Sequence, residues 1–440
     1  MTTVTTLTTA PALDGKSPAV YHEAVLIEHI VKKRQTQTQT QTQTQIRTQP
    51  PDQPSSATQR ALLVHGAQQP YALVTDHAIP SILHKDEILI KVTVIGLNPV
   101  DWKGPAYNFG LPRLPWVNGR DLAGVVVQAS EPDTDTARPR LRKGDLVLVP
   151  STDYRDIRKA AFQEYAVATH FNAARIPPTS SVHAAASAGV AFVAATLALG
   201  VSFGLDFGTV SGCPGPNLPD ILRTVDVNTI PPDVRDECFA SREEIERPKP
   251  GDWIAIWGAS TTTGLIATQL AHNAGLRTIC VADIARHGAR LHAAGADILV
   301  DRHDTARAVQ IIRGVTGGKL RFALDIVGSQ TAAFLQEALD TRVAGNGSHA
   351  HAHLLGLTGL PDDRDRDGRI IYHTVPIKLF HSSPEVGGAM VTWLERLMES
   401  GTLQLPEVIR AEGGLGGINA ALEMLRRGEA SGKRIVVSLH

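Results

Sequence analysis

The sequence predicts an α/β protein in which a small all-β unit precedes a doubly wound parallel sheet, and three observations predict it. From Pro250 to Asp283 the chain reads strand, turn, helix, strand. Ahead of it, between Gln59 and Pro150, short β-rich runs (ATQRALLVHG, EILIKVTVIGLN, DLAGVVVQAS, KGDLVLVP) alternate with turn residues, the texture of a small barrel. Behind it, ILVDRHD, LRFALDIVGS and AHLLGL are apolar runs separated by amphipathic segments such as Thr331 to Leu339, which extend a parallel sheet.

The 440 residues suit about two to three domains. With a net charge of −1 and 42% hydrophobic residues, nothing points to nucleic acid or to an anionic membrane. No run approaches the ~18 apolar residues of a membrane span. The three cysteines are scattered without C-x-x-C spacing, so no disulfide framework or zinc knot is expected, and a reducing, cytoplasmic setting is.

In chain order, residues 1–56 form a low-complexity tail. Gln35 to Gln45 alternates Gln and Thr, Pro50, Pro51 and Pro54 follow, and no apolar period offsets the entropy of ordering. Ala19 to Ile30 is compatible with one helical segment, and the acidic Asp14, Glu23 and Glu28 argue against a transit peptide. The β-rich unit is expected over 57–190, with Ser181 to Gly200 as an alanine-rich helix leading into the central unit. Residues 201–250, with their prolines and little period, read as a long irregular loop of the kind that serves as a lid. The nucleotide-binding unit is expected over 191–357, and 358–440 closes the chain with a helix at Gly388 to Glu399 and the strand GKRIVVSLH.

The central unit carries the chemistry. Asp252 to Trp257 is a short apolar run bounded by Pro250-Gly251 and Gly258, as a strand buried on both faces is. Ile266, Leu270 and Ala274 then recur every four positions along one helical face, and Gly275 stands where a helix ends. Backbone N–H groups of such a turn converge on one point that suits a pyrophosphate. Gly258, Ser260, Thr261, Thr262, Thr263 and Gly264 are the candidate cradle. The middle glycine of G-x-G-x-x-G is missing here, so context carries the assignment, and a purely structural βαβ unit is the alternative.

Several stretches are similar to the medium-chain dehydrogenase/reductase superfamily: GLNPVDWK, VNGRDLAGVVV, FQEYAV, GASTTTG, AAGADILVDRHD, ALDIVGS and GGLGGINAALEMLRRGEASGKRIVV. The chain most resembles its zinc-free quinone oxidoreductases and trans-acting enoyl reductases, from about Gln59 to His440. The resemblance implies a GroES-like β-barrel catalytic domain, an inserted Rossmann domain and a C-terminal return to the barrel. Zinc enzymes of the superfamily keep a ligand cysteine where this chain has Asn98 and a ligand histidine where it has Arg120. Neither residue replaces those ligands, so no metal is expected.

Without a Lewis acid, reduction of an electron-poor C=C bond needs less help than alcohol oxidation. The resemblance implies Lys103 and Thr196 as polar contacts to nicotinamide and substrate, Asn98 beside the ring, and a proton from Lys103, Tyr107 or solvent. The plainer reading makes Lys103 a solvated lysine and Thr196 a packing residue. Asp283 favours NAD(H), whereas the basic Arg286, His287 and Arg302 favour a 2′-phosphate and NADP(H); NADP(H) is the expectation. Val327 and Asp325, in ALDIVG, are expected beside the cofactor, with a loop cap as the plainer reading of Asp325. His349, His351 and His353 alternate on one face of a strand-like run, without a nearby carboxylate or cysteine in sequence to make a metal site.

The expected activity is hydride transfer to an enoyl thioester, enone or quinone by a monomer or homodimer, with a polyketide synthase or its carrier protein as a possible partner. The alternative is an inactive nucleotide- or partner-binding protein on the same fold.

Overall fold

A computed structural model describes residues 57–129, 140–240, 243–341 and 350–439. The expected tail and His349 lie outside them. The first strands are β1 (Thr58–Val64), β2 (Ala72–Ala78), β3 (Glu87–Gly96), β4 (Trp116–Val117), β5 (Asp121–Ala129), β6 (Leu146–Pro150), β7 (Tyr165–Thr169) and β8 (Ala174–Arg175). The central strands are β9 (Trp253–Trp257), β10 (Arg277–Ala282), β11 (Ile298–Asp301), β12 (Phe322–Asp325), β13 (Ala352–Gly356) and β14 (Ile370–His373). Two more, β15 (Val408–Ala411) and β16 (Arg434–Ser438), end the chain.

The barrel unit is built from β3, whose Ile88, Ile90 and Val92 face the barrel core while Lys91 points out, the alternation of a strand covered on one side. It pairs antiparallel with β5 and β7, and β16 adds to it from the far end of the chain. A smaller sheet, in the order β2-β1-β4, packs with it through Leu62, Val64 and Trp116.

The central sheet runs β11-β10-β9-β12-β13-β14, parallel throughout. Ile254, Ala255 and Ile256 of β9 are all fully buried, because helices cover both faces. Strand order reverses between β9 and β12, which opens a crevice at their carboxyl ends. The sheet runs past residue 357: β14 pairs parallel with β13 beyond the charged stretch Asp362 to Asp367, whose polarity hides the continuation in sequence.

Residues 201–250 are not an irregular loop. They contain helices Leu218–Leu222 and Pro232–Phe239 and three 3-10 turns. Pro219 and Pro232 sit in the first turn of those helices, where the missing N–H costs nothing. Phe203, Phe207, Leu218 and Ile230 are buried at 0–1% exposure, so the segment has its own part of the core, each side chain contributing roughly 1.5–3 kcal/mol. No helix among the described residues is long and apolar enough to cross a membrane, and all three cysteines are buried and unpaired.

Candidate functional site

The turn after β9 fits close approach of backbone. Gly258 has φ of +85°, and a Cβ on it would lie 2.8 Å from the Val327 side chain. Thr261 caps helix Thr262–Asn273, its Oγ1 accepting the Gly264 N–H at 3.1 Å. A Cβ on Gly264 would sit 2.5 Å from the Gly258 carbonyl oxygen, so only glycine lets the helix pack this near to the strand. Ser260, Thr262 and Thr263 are half-buried along the same rim. Ser260 also offers its carbonyl to Arg290 at 2.9 Å.

Asp325 ends β12, and its Oδ1 accepts the Val327 and Gly328 N–H groups at 2.9 and 2.7 Å. Its Oδ2 is buried and has no partner. Burial pushes its carboxyl up to about 7, against the pull of those hydrogen bonds. Val327 is exposed at the mouth of the crevice.

After β10, Asp283 caps helix Ile284–Ala293 through the Arg286 N–H at 3.3 Å and faces the Arg286 guanidinium at 3.5 Å. Arg286 and Arg302 are exposed. His287 turns toward Ser431, 3.2 Å away, and burial with the neighbouring Arg290 holds it below its ordinary value. Asp283, Asp301 and His303 come within 4.8 Å of one another at this rim.

The catalytic candidates lie on two helices. Helix Pro99–Tyr107 carries Lys103 and Tyr107 one turn apart; the Lys103 ammonium lies 5.7 Å from the Trp102 ring centre, and the Trp102 and Tyr107 rings are 6.2 Å apart. Asn98 does not present its amide to a crevice. Its Nδ2 donates to Asp121 at 2.8 Å and its Oδ1 accepts from Arg434 at 2.6 Å, so both ends of the amide are engaged in a buried clasp. Asp121 in turn accepts the Val190 N–H at 2.8 Å, which seats the second helix, Gly189–Leu197. That helix packs on Thr262–Asn273 and holds Thr196 fully buried, its Oγ1 without a partner.

The chain matches the alcohol dehydrogenase GroES-like domain over residues 84–178. It resembles the medium-chain dehydrogenase/reductase superfamily. It is 26% identical over 408 residues to the trans-enoyl reductase mycC of Thermothelomyces thermophilus, covering 88% of this chain and 98% of that one. A second trans-enoyl reductase, BOA5 of Botryotinia fuckeliana, is 26% identical over 80% of this chain and 91% of its own. Among solved structures, Escherichia coli quinone oxidoreductase complexed with NADPH has a TM-score of 0.61 at 17% identity, covering 87% of this chain and all of the other.

At Asn98 and Arg120 the side chains are an amide and a guanidinium, neither of them an ordinary zinc ligand. The nucleotide is different. An orphaned buried hydroxyl at Thr196 and the glycine-lined cradle at Gly258 and Gly264 fit a nicotinamide dinucleotide. The turn residues would hold its phosphates and Thr196 its nicotinamide end.

Arg120 is the residue that sequence reasoning passed over, since it counted only as a missing ligand. It is 8% exposed, and among the described residues no carboxylate oxygen lies within 4.0 Å of it. Its one hydrogen bond, to the Gly110 carbonyl, is 3.4 Å long, and its guanidinium lies 5.5 Å from the Tyr154 ring centre. Burial holds it below its ordinary value, with Asp101 the nearest opposing influence. A buried unpaired cation is costly, and that cost is the signal.

Proposed function

We propose that this chain is an NADP(H)-dependent oxidoreductase without a resident catalytic zinc, reducing an activated C=C bond of an enoyl thioester, enone or quinone. The observation that carries the reading is Arg120, a buried guanidinium without a carboxylate partner. Such a group is suited to an oxygen that becomes negative as the bond is reduced. Bound NADPH supplies the hydride. Lys103 and Arg120 offer cationic donors to the carbonyl oxygen of the substrate, and Tyr107, Lys103 or solvent returns the proton to carbon.

Thr196 orients the nicotinamide end through its hydroxyl, and Val327 covers one side of the crevice. The preference for a 2′-phosphate rests on Arg286 and Arg302, with His287 beside them; the Asp283 carboxylate is occupied by its own helix and by Arg286. The names of the 26% identical relatives support an enoyl substrate, and the family resemblance implies a polyketide synthase as the partner that delivers it.

The competing reading, a nucleotide-binding protein without turnover, draws on Asn98, whose amide is held at both ends by Asp121 and Arg434. Tryptophan fluorescence titrations with NADPH and NADH, followed by an enone, quinone and enoyl-thioester panel read at the nicotinamide absorbance with and without chelator, separate the two. Tighter NADPH binding and chelator-insensitive turnover are expected. Binding without turnover on any of them favours the inactive protein, and loss of activity with chelator overturns the zinc-free assignment.

A further inference from the structure

Away from the nucleotide crevice, a chain of four groups, its two central histidines fully buried, joins the 201–250 segment to the edge of the central sheet. Glu246 Oε2 lies 3.1 Å from His353 Nε2, His353 Nδ1 lies 3.0 Å from His373 Nε2, and His373 Nδ1 lies 3.0 Å from Glu237 Oε1. The two histidines, on β13 and β14, are 0% and 1% exposed. Glu237 belongs to helix Pro232–Phe239 and Glu246 to the turn Glu244–Glu246. Each ring uses its two nitrogens on different partners, so the groups form a line and do not converge on an ion.

Three contacts at hydrogen-bond distance need three protons, one in each. With both carboxylates ionised, each histidine donates to its own glutamate and a third proton lies between the rings. The pair then carries one imidazolium. Moving that proton to a carboxyl changes its address but not the count. A fourth proton would set two N–H groups head to head, and with only two protons two lone pairs would face each other at 3.0 Å.

Further charged and aromatic groups surround the chain. Arg321 meets Glu246 at 3.0 Å, and His351 Nδ1 meets the other oxygen of Glu246 at 2.8 Å. Phe203 and Phe322 pack on the rings, and the Cys238 thiol, pushed up to about 12 by burial, sits beside Glu237.

The same helix reaches the catalytic side. Asp233, one turn before Glu237, pairs with Lys378 at 2.5 Å, and the Lys378 ammonium is 5.9 Å from the Tyr154 ring that also faces Arg120.

We propose that the Glu246–His353–His373–Glu237 chain is a proton-dependent latch: one shared proton holds residues 232–246 against β13 and β14, and its loss at alkaline pH releases them. Above pH ~6.5 the unfolded chain binds two protons on these four groups while the folded chain holds three. The folded protein therefore binds the extra proton more tightly. Its contribution is fully present below the unfolded histidine value and fades as pH rises through the folded one. In that fading range the folding constant falls by up to about tenfold per pH unit.

The test uses the full chain, Glu237→Gln and His373→Gln, with urea unfolding from pH 7 to 9.5. Wild type is expected to lose stability with rising pH while both variants lose it less steeply. Amide exchange, corrected for its base catalysis, is expected to rise first in residues 232–239. Should the variants not fold, 15N-histidine spectra of the wild type decide: a ring pair sharing three N–H protons at pH 7 supports the latch. Parallel pH profiles for wild type and both variants, or two neutral rings with one N–H each and no protonated glutamate, overturn it.

Discussion

Thr196 is where a plain packing residue and a functional one can be told apart by sign. Its hydroxyl is buried and unpartnered, which costs about 1–3 kcal/mol in the protein alone. Thr196→Val should hold or raise the melting temperature while weakening NADPH binding about fivefold or more. A stability loss with unchanged binding would make it a packing residue. Asp325 gives a second contrast. Its folded value of about 7 lies above the ordinary carboxylate value, so the folded state binds an extra proton between roughly pH 4 and 7 and loses stability as pH rises through that range. Asp325→Asn keeps an acceptor for the Val327 and Gly328 amides, and should flatten this fall in a urea series by about 1–3 kcal/mol. At Arg120, Arg120→Met should leave NADPH affinity within about twofold yet cut kcat/KM for an enoyl thioester at least a hundredfold, about 2.7 kcal/mol. Equal losses in both would make the arginine a general support of the fold.

At the level of elements, the turn into helix Thr262–Asn273 was readable because its signals are local: a β-rich run, small residues, and glycines at two strained or crowded points. Its geometry refines what to expect of substitutions. Gly264→Ala places a methyl 2.5 Å from a backbone oxygen, so helix and nucleotide affinity should both suffer, with Kd for NADPH rising at least tenfold and the melting temperature falling. Thr261→Gly loses the cap of that helix and should cost a few tenths of a kcal/mol, since glycine is itself tolerated there. Circular dichroism melts beside fluorescence titrations check both. The 201–250 segment was misread for a physical reason. Proline was taken as a breaker, whereas Pro219 and Pro232 begin helices. Its buried phenylalanines have no period that sequence alone can distinguish from chance.

For the molecule as a whole, the clasp of Asn98, Asp121 and Arg434 ties the final strand to the barrel and to the helix that bears Thr196. Arg434 also lies 3.4 Å from the Asp121 carboxylate, whose value burial pushes up to about 6. Removing the guanidinium leaves that carboxylate unpaired, so Arg434→Met should destabilise by about 3–5 kcal/mol. The loss should shrink as the pH falls below 6, where Asp121 takes a proton instead; a urea series at pH 5 and 8 measures the difference. Such a clasp was invisible in sequence, because Arg434 and Asn98 stand 336 positions apart. Sequence separation likewise hides the partners of His353 and His373, whose glutamates stand 107 and 136 positions away.

That separation also orders events in time. Strand β16 fits between β15 and β3, antiparallel to the latter through Val436 and Gly96. During synthesis the N-terminal half emerges first, and the Val94–Gly96 end of β3, beyond its pairing with β7, keeps an open edge until residues 434–438 are made. The parallel sheet, whose strands all lie before residue 374, has no such wait. A chain cut before Arg434 would therefore keep its parallel sheet beside an open barrel edge, which chaperones and proteases can distinguish from the paired one.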